Sequence, residues 1–202
     1  MYHALWNDVV RLHAKWDQYV QLYGRSPERV ALLNKAAAHL SWVIQETMHD
    51  EILLHMTRLT DRRKDTLSLR RLPKLVPDAA LASELKGLVE TAVSACHSAK
   101  AARDKRIAHM NHACALGLAT FDPNPSRAEV KAALRAIRAV LNRLTMHYWQ
   151  SEAGCEHFYA GGRDADALMH YLAQGLRAEE QRMERFLQGK PLPEDFEPKD
   201  EV

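Results

Sequence analysis

Cysteine is scarce and odd in number: Cys96, Cys114 and Cys155 are the only three in 202 residues, and none forms a CxxC pair. That excludes a disulfide framework and leads us to expect a reducing, cytoplasmic setting. Glycine and proline are also few, eight of each, about 8% of the chain against an average near 12%. So small a supply of turn-formers disfavours a many-stranded β fold and favours long helices. Neither charge sign dominates: 28 Lys and Arg against 26 Asp and Glu leave +2, too balanced to argue for nucleic-acid binding on charge alone. Long hydrophobic runs are missing. The longest stretch without a charged residue, Ile107 to Phe121, is 15 residues and includes His109, Asn111 and His112, too short and too polar to span a bilayer. Asp8, and the want of an apolar core behind the start, argue against a secretory signal. No membrane partner and no cofactor are expected.

What is present reads as helix throughout. Trp6, Val9, His13, Trp16, Val20 and Tyr23 recur at helical spacing and end at Gly24, a natural helix terminator. Ser26-Pro27-Glu28 starts a second helix. No Gly or Pro interrupts it until about Leu59, and Val30, Leu33, Ala37, Leu40, Ile44, Met48, Ile52 and Met56 make one stripe. The pattern predicts one long central helix of some 30 residues, which must pack against others to be stable. A charged loop follows at 61–66, then a short turn at 67–72. Asp78 caps a third helix with Leu81, Leu85, Leu88, Ala92 and Cys96 inward, reaching Arg103 or beyond. Residues 110–125 lose periodicity and read as a loop. Ser126 to Glu129 is a capping box ahead of Val130, Leu134, Ile137, Leu141, Leu144 and Tyr148. A last helix from about Asp164 to Leu187 turns Leu168, Leu172, Leu176, Met183 and Phe186 to its apolar side. The expectation is a single all-α domain over 1–190, a bundle of about five main helices, with an acidic disordered tail at 191–202.

Eleven histidines invite a metal site, but the spacing is poor. His49 and His55 lie six apart, not the i, i+4 of a zinc helix, and Asp50 stands where that motif has Glu; a helix face is the simpler reading. His109, His112 and Cys114 are suitable ligand types that would need a distant fourth, such as Cys155 or His157. Cys96, on an apolar stripe, reads as a small core residue. Gly161-Gly162-Arg163-Asp164 lacks the strand, remaining glycines and Lys of a phosphate loop and reads as a helix-capping turn. No metal ligand is assigned.

Two basic clusters stand out. Arg58, Arg62, Arg63, Lys64, Arg70, Arg71 and Lys74 place seven positive charges in 17 residues, offset by Asp61 and Asp65; Lys100, Arg103, Lys105 and Arg106 place four in seven. On one side of a bundle they would grip phosphates; otherwise they are solvated loops. An Arg and a His with four to six residues between them occur at Arg103/His109, Arg106/His112 and Arg163/His170, no more often than chance supplies.

Context selects the first of these. Arg58-Leu59-Thr60-Asp61, Leu67-Ser68-Leu69-Arg70-Arg71-Leu72 and Arg103-Asp104-Lys105-Arg106-Ile107-Ala108-His109 stand in order in an all-α chain, which resembles the AbiU2-like branch of the HEPN superfamily. Met110-Asn111 departs from the short acidic continuation of that motif, and Arg106/His112 is a second possible register. The resemblance implies a HEPN-like helical bundle and a homodimer with a composite site. It also implies metal-independent RNA cleavage to a 2′,3′-cyclic phosphate, in phage defence by abortive infection or as a toxin with a cognate antitoxin. In that reading Arg103, Asp104 and His109 are catalytic, and Lys105, Arg106, Arg62, Arg63, Arg70 and Arg71 hold RNA phosphates. Arg103 and His109 on one uninterrupted α-helix would point about 120° apart, so convergence requires the helix to end between them or a second chain to contribute. The alternatives are a non-catalytic module that binds RNA, nucleotides or protein, and a plain bundle in which His109 caps a helix.

Overall fold

The computed structural model describes residues 1–107, 124–152, 154 and 164–196, and they are all-α, without a strand among them. Helix α1 spans Tyr2–Tyr19 and closes in a π-helical turn, Val20–Gly24. Helix α2 spans Pro27–Leu59, and a 3-10 turn, Leu69–Leu75, follows the charged loop. Helix α3 (Ala79–Ala95) and the short α4 (His97–Ala102) lead into a second π turn, Arg103–Ile107. Helices α5 (Arg127–Trp149) and α6 (Ala165–Leu187) complete the set, followed by a 3-10 turn at Pro193–Phe196. The 110–125 loop, the Gly161-Gly162-Arg163 turn and the His109, His112, Cys114, Cys155 and His157 ligand set lie wholly or largely outside the described residues.

Local chemistry places the helix starts where the sequence puts them. Asp78 accepts from the Ala80 and Leu81 amides at 2.8 and 3.2 Å. Ser126 Oγ accepts from the Glu129 amide at 3.2 Å while Glu129 Oε2 accepts from the Ser126 amide at 2.8 Å, so two otherwise orphaned donors are satisfied reciprocally.

The chain folds as two compact units, residues 1–19 with 45–160 and residues 20–44 with 161–202. In the first, α5 packs on α3 and α1. Its core holds Leu5, Val9, Leu12, Ile52, Leu53, Met56, Leu81, Leu85, Ile137 and Leu141, all essentially inaccessible to solvent. Each such side chain contributes about 1.5–3 kcal/mol by leaving water. Cys96 is buried there, as the apolar stripe implies, and burial pushes its thiol up to about 12.

In the second unit α6 packs on the π turn at Val20–Gly24. Asp166 is clamped by Arg25 at 2.7 Å and Arg29 at 2.6 Å, and Asp195 takes the Arg185 guanidinium, Nε to Oδ2 at 2.8 Å.

Four sequence expectations are corrected. The long central helix is broken: Ala37 is extended (φ −162, ψ 74), and Ser41 Oγ reaches back across the break to the Leu33 carbonyl at 3.1 Å. The run of small residues Ala36-Ala37-Ala38 offers no bulk to pack, and the stripe positions Ala37, Leu40 and Ile44 are exposed. The third helix does not run unbroken to Arg103 but is interrupted at Cys96. The apolar side of α6 is largely solvent-facing, with Leu168, Met183 and Phe186 exposed and only Ala165 and Met169 buried. The disordered tail expected at 191–202 is ordered at Pro193–Phe196, where Arg185 and Arg182 hold Asp195.

Candidate nucleic-acid interface

The charged loop after α2 is not free to wander. Ser68, fully buried, sets its hydroxyl against the carbonyls of Leu59 at 3.1 Å and Asp61 at 2.8 Å. Arg70 Nε donates to the Thr60 carbonyl at 2.8 Å, and Asp61 accepts from the Arg63 amide at 3.0 Å. These bonds fold the loop back on the end of α2 and leave its cations on a common wall. Arg62, Arg63, Lys64, Arg70, Arg71 and Lys74 line one cleft of about 970 Å³, whose opposite wall is α3 with Ala82, Ser83, Lys86, Val89 and Glu90.

All four loop arginines expected to hold phosphates are therefore brought together, joined by Lys86, which lies outside both basic clusters of the sequence. Arg63 is partly committed, bonding Asp65 at 2.7 Å and holding that carboxyl below its usual range. The side chains of Arg62, Lys64, Arg71, Lys74 and Lys86 make no hydrogen bond or ion pair among the described residues. Among the described residues the cleft lining carries seven cations against Asp61 and Glu90, an excess of positive charge, and no aromatic ring on which a base could stack.

A second cavity of about 300 Å³ shares Asp61 with the first and is lined also by Glu51, Leu54, His55, Thr57, Arg58 and Arg103. Arg103 begins the second π turn, so regular α geometry ceases at this residue and the 120° separation of an uninterrupted helix does not apply. Its Nε donates to Asp104 Oδ1 at 2.8 Å, so Asp104 orients the arginine of its own turn. Arg103 is half-buried, while Asp104 and Lys105 are exposed; Lys105 lines neither cavity. The Arg106 side chain and all of His109 lie outside the described residues.

Beneath the second cavity is a group that sequence reading passed over. Arg58 Nη2 donates to Asp8 Oδ1 at 2.8 Å, and His55 Nε2 lies 3.0 Å from the same oxygen. Asp8 and His55 are buried, at 8% and 3% exposure. Burial pushes the His55 ring down, with the Asp8 charge opposing and those of Arg58 and Lys15 adding to the effect. Asp8 Oδ2 and both His55 nitrogens have no hydrogen-bond partner among the described residues. A signal was available: Leu5, Asp8, Val9, Leu12 and Ile52, His55, Met56, Leu59 each follow the i, i+3, i+4, i+7 pattern of a buried face, so an acid and an imidazole stand where apolar residues belong. His49 is elsewhere, near Asp50 at 3.8 Å and against the Tyr19 ring. Among the described residues no three His, Cys, Asp or Glu side chains gather as metal ligands, and no helix is long and apolar enough to cross a membrane.

The described residues thus make an all-α protein with a cationic cleft and, sharing Asp61 with it, a smaller cavity lined by Arg58 and Arg103. The family model described as AbiU2, of the HEPN type, matches residues 1–167, and the chain belongs to that family. No curated protein and no solved structure matches the chain.

Proposed function

We propose that this protein is a metal-independent endoribonuclease of the HEPN type. The observation that carries the reading is the shared wall at Asp61: a cleft of seven cations opens beside the cavity that holds Arg103. Single-stranded RNA laid along Arg62, Arg63, Arg70 and Arg71 has its phosphates neutralised there, and Lys105 and Arg106 hold further phosphates beyond Arg103. Arg103, fixed by Asp104, meets the charge that develops on phosphorus with a permanently protonated planar fork.

The ribose 2′-oxygen attacks that phosphorus, the bond to the 5′-oxygen breaks, and a 2′,3′-cyclic phosphate results. His109 either takes the proton from the 2′-hydroxyl or supplies one to the leaving oxygen, tasks for which an imidazole titrating near neutrality is suited. DNA has no 2′-hydroxyl and is not cleaved. The chain acts as a homodimer, in which two-fold symmetry brings two Arg103 and two His109 side chains to one cleft. Exposed Leu40, Trp42, Val43 and Ile44 in α2 supply apolar surface for a partner. The family membership supports a role in phage defence by abortive infection or as a toxin restrained by an antitoxin.

The test is EDTA-treated wild type and His109→Ala incubated with a mixed RNA pool, followed by analysis of product ends. Cyclic phosphate ends from wild type alone are expected, with the variant slower by about 10²–10⁴. Equal cleavage by the two proteins removes His109 from the mechanism. Tight RNA binding without cleavage by either makes the protein a binding module.

A further inference from the structure

The small cavity holds two arginines, and each is held by its own carboxylate. Arg103 is fixed by Asp104, and Arg58 by Asp8 at 2.8 Å. Both arginines line one space of about 300 Å³, large enough for a phosphate and part of the sugar attached to it. Arginine has five donors, so a single bond to a carboxylate leaves Arg58 with a free edge, and its side chain is nearly half exposed.

The support behind Arg58 is unusual for a purely structural contact. A carboxylate oxygen and an imidazole, both more than nine-tenths buried, leave Asp8 Oδ2 and both His55 nitrogens without hydrogen bonds among the described residues. Native proteins seldom tolerate such groups, and those that persist call for an explanation. A surface arginine needs no buried anchor merely to be soluble; one that must stay in place as a ligand's negative charge approaches does.

We propose that Arg58 and Arg103 form a two-arginine clamp on a single phosphate of the RNA backbone, with Asp8, backed by His55, as the positioning residue for Arg58. The proposal rests on the reading of the protein as RNA-binding, but not on its being a nuclease. Two guanidinium forks approaching one phosphodiester from α2 and from the π turn can both donate to its non-bridging oxygens, a grip that one fork alone makes less well. The clamp also fixes which phosphate of a bound strand is presented. The cations of the large cleft hold its neighbours, and Asp61, on the shared wall, deters phosphates from settling between the two cavities.

The test is binding of a short, fluorescein-labelled, fully 2′-O-methylated oligoribonucleotide, which cannot be cleaved by 2′-oxygen attack, measured by anisotropy across a salt series. Arg58→Ala and Arg103→Ala are each expected to weaken binding about tenfold or more and to lower the log–log salt slope by about 0.7. Arg58→Ala/Arg103→Ala is expected to lose much less than the product of the single effects, because both contacts serve one phosphate. Asp8→Asn is expected to lose affinity in the wild-type background and none further in the Arg58→Ala background, which a general structural role would not produce. Asp8→Asn/Arg58→Gln, which leaves no buried unpaired carboxylate, repeats the measurement if Arg58→Ala fails to fold.

Unchanged affinity in the folded Arg58 variants, effects that multiply with those of Arg103→Ala, or no binding by wild type would each overturn the clamp. Wild type that binds the analogue but leaves unmodified RNA intact overturns the nuclease reading and leaves the clamp to stand on its binding data.

Discussion

His55 Nε2 lies 3.0 Å from Asp8 Oδ1, the oxygen that also accepts from Arg58. One carboxylate oxygen thus joins α1 to two successive turns of α2, with a surface cation on one side and a buried imidazole on the other. Because burial outweighs the attraction of Asp8, the ring is harder to protonate in the folded protein than in the unfolded chain.

That difference fixes a pH dependence. Unfolded, His55 titrates near pH 6.5; folded, its value is lower. Between the two the unfolded chain binds more protons, so this contribution to stability is complete above about pH 6.5 and is lost as pH falls toward the folded value. His55→Gln is expected to unfold in urea with a midpoint that falls less steeply than wild type between about pH 7 and pH 5. Parallel acid limbs for the two proteins would show that His55 does not titrate in this way.

RNA binding is expected to be steeply salt-dependent and weakly dependent on base sequence, since among the described residues the cleft offers cations and no aromatic platform. Engagement of four to six phosphates gives a log–log slope of about −3 to −4 for a single strand. Lys86→Ala, on α3, should lower the slope by about 0.7 and weaken binding alike for purine-rich and pyrimidine-rich oligomers. Loss of affinity confined to one base composition would mean that the cleft reads bases.

Ser68 is the fastening of the basic loop, with its hydroxyl shared between the Leu59 and Asp61 carbonyls. Ser68→Ala is expected to cost about 1–3 kcal/mol, because buried carbonyls lose their donor. It should also weaken RNA binding although no charge is removed. Thermal denaturation and the same anisotropy titration report the two effects; destabilisation with unchanged affinity would detach the loop's order from the cleft's function.

Cys96 is buried, with its thiol pushed up to about 12 by burial, and is expected to be unreactive in the folded protein. Cys96→Ala should leave unchanged the number of thiols that react with a disulfide reagent in native protein, and should remove one in denaturant. A native count lower by one would show Cys96 to be accessible.

The α3–α5 contact is the mechanical centre of the first unit. Leu85→Ala and Ile137→Ala, each at a fully buried position, should each cost about 2–5 kcal/mol. Leu168→Ala, on the exposed side of α6, should change stability by about 0.5 kcal/mol or less. A large loss at Leu168 measured at low concentration would place that side chain in a core.

Where helices begin was legible because the determinants are local. Asp78, Ser126 with Glu129, and Asp164 satisfy orphaned amides within three residues of themselves, and no distant part of the chain has to agree. The core face of α5 was equally legible: Val130, Leu134, Ile137, Leu141 and Leu144 are all buried, and only Tyr148 of the expected set is exposed. The middle of α2 was not. Leu40 and Ile44 continue an apolar period, but a period states only which residues share a face, and whether another element covers that face is settled elsewhere in the chain.

The site divides the same way. Which charges exist, their crowding between Arg58 and Lys74, and the carboxylate that follows Arg103 could all be read along the chain, because each depends on sequence neighbours alone. That the loop cations share a cleft with Lys86 of α3, that this cleft and the cavity lined by Arg103 have Asp61 in common, and that Arg58, anchored on Asp8 near His55, lines that same cavity followed only from long-range packing. Asp8 and Arg58 are 50 residues apart. Steric contacts act over a few ångströms and screened charges over about 10 Å, so only folding, by bringing α1, α2, α3 and the π turn together, makes these groups act on one another.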